Sequence, residues 1–269
     1  MNIEHLKEYK LINYAYIQYK TCKKKYYASI QKKQADRSRL QKFYNTKVGK
    51  RCFIIGNGPS LRIEDLERIK DDTFAVNRIY KIFDKTFWRP AYYFSQDINV
   101  LDEIKDDIPI ITDNCTGVFL NSYVARKISP KFKAKKNLFL FFLDPTEKFP
   151  ALPDFAYDIS QGFYEGYTVT YTCIQMAVYM GYSEIYIMGV DHNYDIDRLL
   201  DGSIVQDASV QNYMQGLGGN LGFPPQLQKS TLAYRKARQV CDEKGIKICN
   251  ATRGGKLEEF IRVNFDEIV

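Results

Sequence analysis

One segment of the sequence places a carboxylate beside an imidazole. Asp191 and His192 follow the apolar residues 185–188, and Asn193 and Tyr194 come next. A histidine that titrates near neutral pH can act as a general base, and an aspartate can orient it or hold a divalent ion. Neighbours on an extended chain point to opposite sides, so a direct Asp–His pair is not expected. We predict that Asp191 and His192 are catalytic and that His192 either acts as the base or donates a hydrogen bond to the ligand. Asn193 and Tyr194 are predicted to contact the substrate.

A glycine-containing turn forms a second candidate. Residues 56–60 read Gly-Asn-Gly-Pro-Ser, after the apolar residues 52–55 and before a predicted helix. Glycine lets the backbone turn sharply and approach a ligand, and helix N-terminal amides favour phosphate oxygens. Gly56, Asn57, Gly58 and Ser60 are therefore predicted to bind nucleotide or phosphate. The turn lacks the third glycine of the dinucleotide motif and the Gly-Lys-[Ser/Thr] of a Walker A loop, so neither site is indicated.

Two further polar residues stand just beyond predicted strands. Asn77 follows residues 73–76, and Asp97 follows residues 91–95. The carboxyl ends of parallel strands meet at one edge of a sheet, so both side chains are expected near the glycine turn. Asn77 is predicted to bind nucleotide and Asp97 substrate, while an Asn closing a turn remains the alternative for Asn77.

Three other segments carry polar candidates. Thr168 and Thr170 begin a predicted helix, where hydroxyl groups either cap the helix or face an anion. Tyr213 is a predicted substrate contact in the glycine-rich segment 195–228, which is predicted to be a lid or binding loop, or else disordered. The residues after the last predicted strand include three predicted phosphate contacts, Asn250, Arg253 and Lys256. The alternative for this segment is a plain turn between a strand and a helix.

Short apolar strands that alternate with helices position these residues. The pattern predicts an α/β, Rossmann-like fold, in which helices cover both faces of a mostly parallel sheet. The predicted strands are 52–55, 73–76, 91–95, 108–112, 138–143, 184–188 and 247–249. The predicted helices are 63–69, 98–105, 122–128, 168–180 and 230–244.

The amino-terminal part differs from the rest in charge. Residues 1–50 hold 13 Lys and Arg against 3 Asp and Glu, a local charge of +10, whereas the remaining 219 residues carry −3 of the total net charge of +7. We predict a basic amphipathic helical arm at 1–47 and a nucleotide-binding transferase domain at 48–269. Packing of residues 1–45 on the domain or on a second copy, and contact with an anionic membrane surface, remain open. No nucleic-acid-binding motif accompanies the charge.

Composition narrows the class of protein. The sequence has no apolar run long enough to span a membrane and no apolar amino-terminal signal, which predicts a cytoplasmic protein. Its six cysteines are spread without a Cys-x-x-Cys pair and are expected to be reduced core residues. With His5 and His192 as its only histidines, the chain cannot form a multi-histidine metal site.

Five motifs, in order, resemble the MptE-like family, commonly labelled 6-hydroxymethylpterin diphosphokinase-like. They are IIGNGPSL at 54–61, VNRIY at 76–80, TVTY at 168–171, GYSEIYIMGVDHNY at 181–194 and NATRGGKLEEF at 250–260. The resemblance spans about residues 48–266 and implies a Rossmann-like scaffold. Members are often found among bacterial surface-polysaccharide proteins.

The same scaffold is similar to small bacterial sialyltransferases that use CMP-sialic acid. That similarity implies nucleotide or donor contact by Asn57, Gly58, Asn77, Asp191 and Asn250. Two features differ. Thr-Val-Thr at 168–170 stands where those enzymes have Thr-Ser-Gly, and segment 195–228 has no counterpart of their histidine base.

These resemblances imply a nucleotide-sugar-dependent glycosyltransferase of surface-polysaccharide biosynthesis, with a CMP-activated acidic sugar as the favoured donor and a glycan as the acceptor. One alternative is diphosphate transfer from ATP to a pterin alcohol, with Mg²⁺ held by Asp97 and Asp191. A second alternative is a non-catalytic partner in a polysaccharide assembly.

Overall fold

A computed structural model describes residues 26, 28–128, 130, 134–199, 201–218 and 224–269. Within them the strands are β1 (Arg51–Ile55), β2 (Asp72–Val76), β3 (Tyr92–Ser95), β4 (Gly117–Asn121), β5 (Leu138–Phe141), β6 (Leu143–Asp144), β7 (Phe163–Tyr164), β8 (Glu184–Met188), β9 (Ile196–Arg198), β10 (Ile204–Gln206), β11 (Lys247–Asn250) and β12 (Ile261–Arg262). The helices are α1 (Arg37–Gln41), α2 (Ile63–Arg68), α3 (Ile98–Ile104), α4 (Ile108–Asn114), α5 (Val169–Met180) and α6 (Leu227–Glu243). Short 3₁₀ helices span Asn77–Ile82, Ser122–Arg126 and Phe265–Glu267.

Eight strands form one parallel sheet in the order β12-β11-β8-β1-β2-β3-β4-β5. Alternate residues of β1 enter opposite halves of the core, because side chains alternate along a strand. Cys52 and Ile54 pack on the side of α5 and α6, while Phe53 and Ile55 pack on the side of α2, α3 and α4. The predicted Rossmann-like α/β fold is confirmed.

One predicted strand is wrong. Residues 108–112 begin helix α4, and the strand of this region is β4. Pro109 explains the difference, because proline lacks the N–H that a central strand must donate but fits the first turn of a helix. The Thr112 hydroxyl donates a hydrogen bond to the Pro109 carbonyl at 3.0 Å within this helical turn. The other six predicted strands correspond to observed ones, with ends shifted by up to two residues.

The described part of the amino-terminal arm packs on the sheet edge. The Asp36 amide donates to the Leu140 carbonyl at 2.7 Å, and the Leu140 amide donates to the Asp36 carboxylate at 2.8 Å. Leu40 is 1% exposed, and Phe43 makes edge-on ring contacts with Phe119 and Phe139. Residues 36–43 thus contribute to the core, while the division of the chain at residue 47 stays a prediction. Residues 1–25 and 27, with most of the predicted basic arm, lie outside the described residues.

Segment 195–228 is partly regular. Strands β9 and β10 pair as an antiparallel hairpin. The Met214 amide donates to the Asn57 carbonyl at 2.9 Å, and Leu217 is fully buried, so this part of the segment packs over the glycine turn. Residues 200 and 219–223 of the segment are not among those described.

Two composition-based expectations concern the described residues. Their five cysteines are unpaired and buried, as expected, whereas Cys22 lies outside them. Among the helices that the structure describes, none has the length and hydropathy needed to cross a membrane.

Candidate functional site

A cavity of about 1050 Å³ opens at the carboxyl ends of the central strands. Residues that follow β1, β2, β3, β4 and β8 line it, together with the first turn of α5. Strand β1 lies between β2 and β8, so the strand order reverses at this point. Open parallel sheets bind ligands at such a reversal. The arm also reaches the cavity, because Ala28 and Gln31 lie on its wall.

The glycines of the predicted phosphate loop permit contact between two loops. The Gly56 amide donates to the Met188 carbonyl, and the Gly58 amide donates to the Gly189 carbonyl, both at 2.8 Å. A Cβ added at position 56 would lie 2.3 Å from the Gly189 carbonyl oxygen, and one added at position 58 would lie 1.9 Å from Asp191 Oδ2. Both glycines line the cavity, and their close approach to the loop after β8 explains why a side chain is excluded.

Asn57 brings a buried, unpartnered acceptor to the cavity wall. Its Nδ2 donates to the Val76 carbonyl at 3.1 Å, and the residue is 8% exposed. Within the described residues, Oδ1 has no hydrogen-bond partner. The bond to Val76 fixes which atom of the amide group is left without a partner. Since Oδ1 is an acceptor, its complement is a ligand hydroxyl or amine, whereas a phosphate oxygen would repel it.

Asn77 and Asp97 lie on the same rim. Asn77 has a φ of +51°, a left-handed conformation that asparagine tolerates better than most residues, and its Oδ1 accepts from Ser95 Oγ at 3.1 Å. Asp97 caps α3 by accepting from the Asn99 amide at 2.7 Å. The structure therefore brings the ends of β1, β2 and β3 to one cavity, as the sequence predicts, although Asp97 also has a local structural role.

Backbone strain is concentrated at the cavity. Of the four described non-glycine residues with positive φ, Asn77, Tyr167 and His192 line it, whereas Asn45 does not. Such conformations cost about 1–3 kcal/mol each and recur at functional sites.

Arg78 supplies a buried positive charge beside this rim. It is 2% exposed, and its Nε lies 2.9 Å from a Glu103 carboxylate oxygen. Hydrogen bonding between the two groups raises the pKa of Arg78 and lowers that of Glu103. The guanidinium lies 5.7 Å from the ring centroid of Tyr213, whose pKa is raised by burial, so the phenol is neutral. Arg78 is the one lysine or arginine among the described lining residues.

The N-terminus of α5 provides a second positive element. Thr168 caps the helix by accepting from the Thr170 amide at 3.3 Å, and the first turn carries no acidic residue. Thr168, Val169 and Thr170 all line the cavity. A helix of 12 residues directs a partial positive charge and free amides from this end, which favours an anionic ligand group.

His192 is held by contacts with helix α6. Its Nε2 lies 2.8 Å from Thr231 Oγ1, and its ring meets Tyr234 edge-on with centroids 5.5 Å apart. Burial lowers the pKa of His192 from 6.5 to about 4, so the imidazole is neutral at physiological pH. A neutral imidazole can both accept and donate a hydrogen bond.

Asp191 is bound to the loop after β1. Its Oδ2 accepts from Ser60 Oγ at 2.8 Å and contacts the Ser60 amide at 3.4 Å. Burial raises the pKa of Asp191, and the bonds from Ser60 partly offset that rise. Thus Asp191 bonds to Ser60 and His192 to Thr231, in keeping with the expectation that they do not form a direct pair. No group of three or more His, Cys, Asp or Glu within the described residues could hold a metal ion.

The remaining predicted substrate residues also lie on the cavity. Asn193, Tyr194 and Tyr213 line it. Burial raises the pKa of the Tyr194 hydroxyl, so this phenol is a neutral hydrogen-bonding group at physiological pH.

Four predicted phosphate contacts do not line the cavity. Ser60 instead binds Asp191. Asn250 is 1% exposed and joins its own turn, with Nδ2 donating to the Leu257 carbonyl at 2.8 Å. Arg253 pairs with Asp65 at 2.7 Å and with Asp266 at 2.9 Å. Lys256 has an exposed side chain, and only its backbone amide approaches the site, at 2.7 Å from the Asp191 carbonyl.

Several lining residues were not predicted. Asn121 is the last residue of β4, and its Nδ2 donates to the Gln96 carbonyl at 3.1 Å. The apolar residues 118–120 before Asn121 were the sequence signal for it, but the strand was placed too early. Others are Gln96, Glu165, Tyr167, Asn212, Gln226 and Tyr234.

Comparison with known proteins gives a family and a fold. A family model described as 6-hydroxymethylpterin diphosphokinase MptE-like matches residues 24–197. No curated protein sequence matches the chain significantly.

Among solved structures, the MAf glycosyltransferase from Magnetospirillum magneticum is similar to this chain with a TM-score of 0.50 and 13% identity. The similarity covers 87% of this chain but only 38% of that protein. The sialyltransferase CstII from Campylobacter jejuni, in complex with CMP-3FNeuAc, has a TM-score of 0.44 and 14% identity over 80% of this chain and 86% of that one.

Proposed function

The chain belongs to the MptE-like family, and from this premise we propose that it is a glycosyltransferase that takes a sugar from a nucleotide donor and adds it to a glycan hydroxyl. The observation that carries the proposal is the roughly 1050 Å³ cavity at the strand-order reversal, whose wall combines a buried unpaired acceptor with a helix N-terminus. The volume lies just above the range typical of small-molecule sites, about 300–1,000 Å³.

Two features of the cavity wall suit two parts of such a donor. Asn57 Oδ1 needs a hydroxyl or amine, which a ribose or a base supplies. The first turn of α5 needs an anion, which the phosphate supplies. Asn77 and Arg78 lie on the same rim, where they are placed to bind the nucleoside and to neutralise phosphate charge.

In the proposed reaction the bond between the sugar and the nucleotide phosphate breaks, and a bond from the acceptor oxygen to the sugar forms. The phosphate leaves as an anion and is stabilised by the α5 amides, Thr168, Thr170 and Arg78. The acceptor hydroxyl loses its proton to a base, for which His192 is the proposed residue. With a pKa of about 4, His192 is a weak base, so the proton moves only once the acceptor oxygen has begun to bond.

For Asp191 we propose a different role from the one that the sequence suggested. Its carboxylate binds Ser60 and packs against Gly58, which fixes the loop that carries Asn57. We therefore assign Asp191 to positioning of this loop. The phosphate role that the sequence gave to Arg253 and Lys256 passes to Arg78 and α5, because the first two do not line the cavity.

The charge on the wall favours a donor with few phosphates. The described lining residues include three carboxylates, Asp97, Glu165 and Asp191, against the single guanidinium of Arg78, which pairs with Glu103. A nucleoside triphosphate carries more negative charge than a CMP-activated sugar. Together with the motifs at 54–61 and 76–80 that resemble the CMP-sialic-acid enzymes, this balance supports a CMP-sugar donor.

The family description supports a second candidate, diphosphate transfer from ATP to a pterin alcohol. Asp97 and Asp191 both line the cavity, and Mg²⁺ is often held by one or two carboxylates plus substrate phosphates. Their fit to Mg²⁺ is incomplete, because Asp97 caps α3 and Asp191 binds Ser60.

A thermal-shift panel separates the candidates. The ligands are CMP, CDP, UDP, GDP, ATP with Mg²⁺, and a pterin alcohol, each at the same concentration. A ligand at 100 times its Kd stabilises the folded protein by about 2.7 kcal/mol. We expect selective stabilisation by cytidine nucleotides. Stabilisation by ATP with the pterin would favour the kinase, and stabilisation by none would favour a non-catalytic role.

A further inference from the structure

A hydrogen-bond relay from helix α6 determines which nitrogen of His192 carries the proton. The Thr231 hydroxyl donates to the Leu227 carbonyl, four residues earlier in α6, at 2.8 Å. A hydroxyl has one proton, so toward His192 the Thr231 oxygen can only accept. The group that faces it at 2.8 Å is Nε2, which must therefore be the protonated nitrogen.

The other ring nitrogen has a different environment. Nδ1 forms no hydrogen bond to any described residue and is absent from their fully buried, unpartnered polar atoms. His192 lines the cavity, so Nδ1 is the ring nitrogen left for a ligand or solvent. Edge-on contact with Tyr234 and the positive φ of +53° restrict the orientation of the ring.

We infer that Thr231 is a positioning residue that holds His192 as the Nε2–H tautomer, so that Nδ1 is the atom that accepts the hydrogen bond, and then the proton, of the acceptor hydroxyl. This inference rests on the proposed function for the identity of that hydroxyl. The tautomer itself is a property of the free protein. Without Thr231, Nε2 loses its acceptor and nothing in the relay distinguishes the two tautomers.

Imidazole nitrogen NMR tests the tautomer without any substrate. The chain has two histidines, so His5→Gln leaves His192 as the single imidazole signal. At pH 7.5, long-range proton–nitrogen correlations of the ¹⁵N-labelled protein should show a protonated Nε2 and an unprotonated Nδ1. A protonated Nδ1 would overturn the inference, whatever reaction the protein catalyses.

Two substitutions at position 231 separate positioning from packing. Thr231→Ser keeps the hydroxyl and Thr231→Val keeps the shape. We expect the Ser variant to retain the Nε2–H tautomer, and the Val variant to show both tautomers with an unchanged urea midpoint.

The kinetic test uses the nucleotide-sugar donor selected by the thermal-shift panel. The kcat of the Val variant should fall roughly 10-fold or more, while KM for the donor stays constant and the Ser variant recovers most of the rate. Equal tautomer spectra for both variants would overturn the role of Thr231, and absence of transfer in the wild type would count only against the proposed function.

Discussion

We expect Asn57→Ala to leave the free energy of unfolding nearly unchanged but to weaken ligand binding. The reason is that one atom of the Asn57 side-chain amide is hydrogen-bonded in the free protein and the other is not. Loss of the 3.1 Å bond from Nδ2 to the Val76 carbonyl costs about 0.5–1.5 kcal/mol. Removal of the buried, unpartnered Oδ1 recovers part of a desolvation penalty of about 1–3 kcal/mol. The two terms oppose each other, so the free energy of unfolding should change by no more than about 1 kcal/mol.

Binding should change much more. If a ligand donor bonds to Oδ1, its loss costs about 1–3 kcal/mol, or roughly 5- to 150-fold in Kd. Ser122→Ala is the matched control, because the Ser122 hydroxyl is also buried and unpartnered within the described residues but does not line the cavity. Urea unfolding and calorimetric titration with CMP measure the two quantities. Unchanged CMP affinity in Asn57→Ala, or equal weakening in both variants, would refute the assignment.

Three further predictions follow from packing and charge. Gly58→Ala should lower the free energy of unfolding, measured by urea denaturation, by about 1–3 kcal/mol, because the new Cβ would lie 1.9 Å from a carboxylate oxygen. The control Gly218→Ala has open space around the new Cβ and should change the free energy of unfolding by less than about 0.5 kcal/mol. Equal effects of the two substitutions would contradict the loop contact. The folded-state pKa of His192 is about 4 against an ordinary 6.5, so between these values the unfolded chain binds a proton that the folded chain excludes, and stability should fall as pH drops from 6.5 to 4. Urea unfolding at several pH values should show a shallower fall for His192→Gln, and parallel profiles would contradict the shift. Deletion of residues 1–35 should leave a folded protein, whereas deletion of 1–47 should cost several kcal/mol by removing the buried Leu40 and the partly buried Phe43. Equal urea midpoints for the two deletions would contradict this packing.

The sequence predicted the sheet well where strands are continuous apolar runs. Strands buried on both faces, such as β1 and β8, contain little else, so their position is evident from composition. Residues 108–112 are also apolar, yet they form a helix, because Pro109 suits a first turn and the strand follows at Gly117–Asn121. Because the strand was predicted too early in the chain, Asn121 was not recognised as a residue at a strand end and was missed as a site residue.

The site was predicted less completely, for reasons that concern partners distant in sequence. Arg253 looked like a phosphate ligand beside two glycines, but Asp65, 188 residues earlier, takes its guanidinium. Gly58 was predicted as a ligand contact, and its lack of a side chain also leaves room for the Asp191 carboxylate, which the sequence pattern did not indicate. Both Asp65 and Asp191 reach these positions only through the sheet order, which the sequence pattern does not specify.

Phosphorus NMR of two parallel reaction mixtures tests the central claim most directly. The protein is incubated with a CMP-activated sugar and a glycan acceptor, and in parallel with ATP, Mg²⁺ and a pterin alcohol. Glycosyl transfer converts the donor phosphodiester into free CMP, and diphosphate transfer converts ATP into AMP. We predict release of CMP that depends on the acceptor and that, at a fixed low donor concentration, is slower in Asn57→Ala but unchanged in Ser122→Ala. Formation of AMP that depends on the pterin, with the CMP-sugar unchanged, would contradict the account.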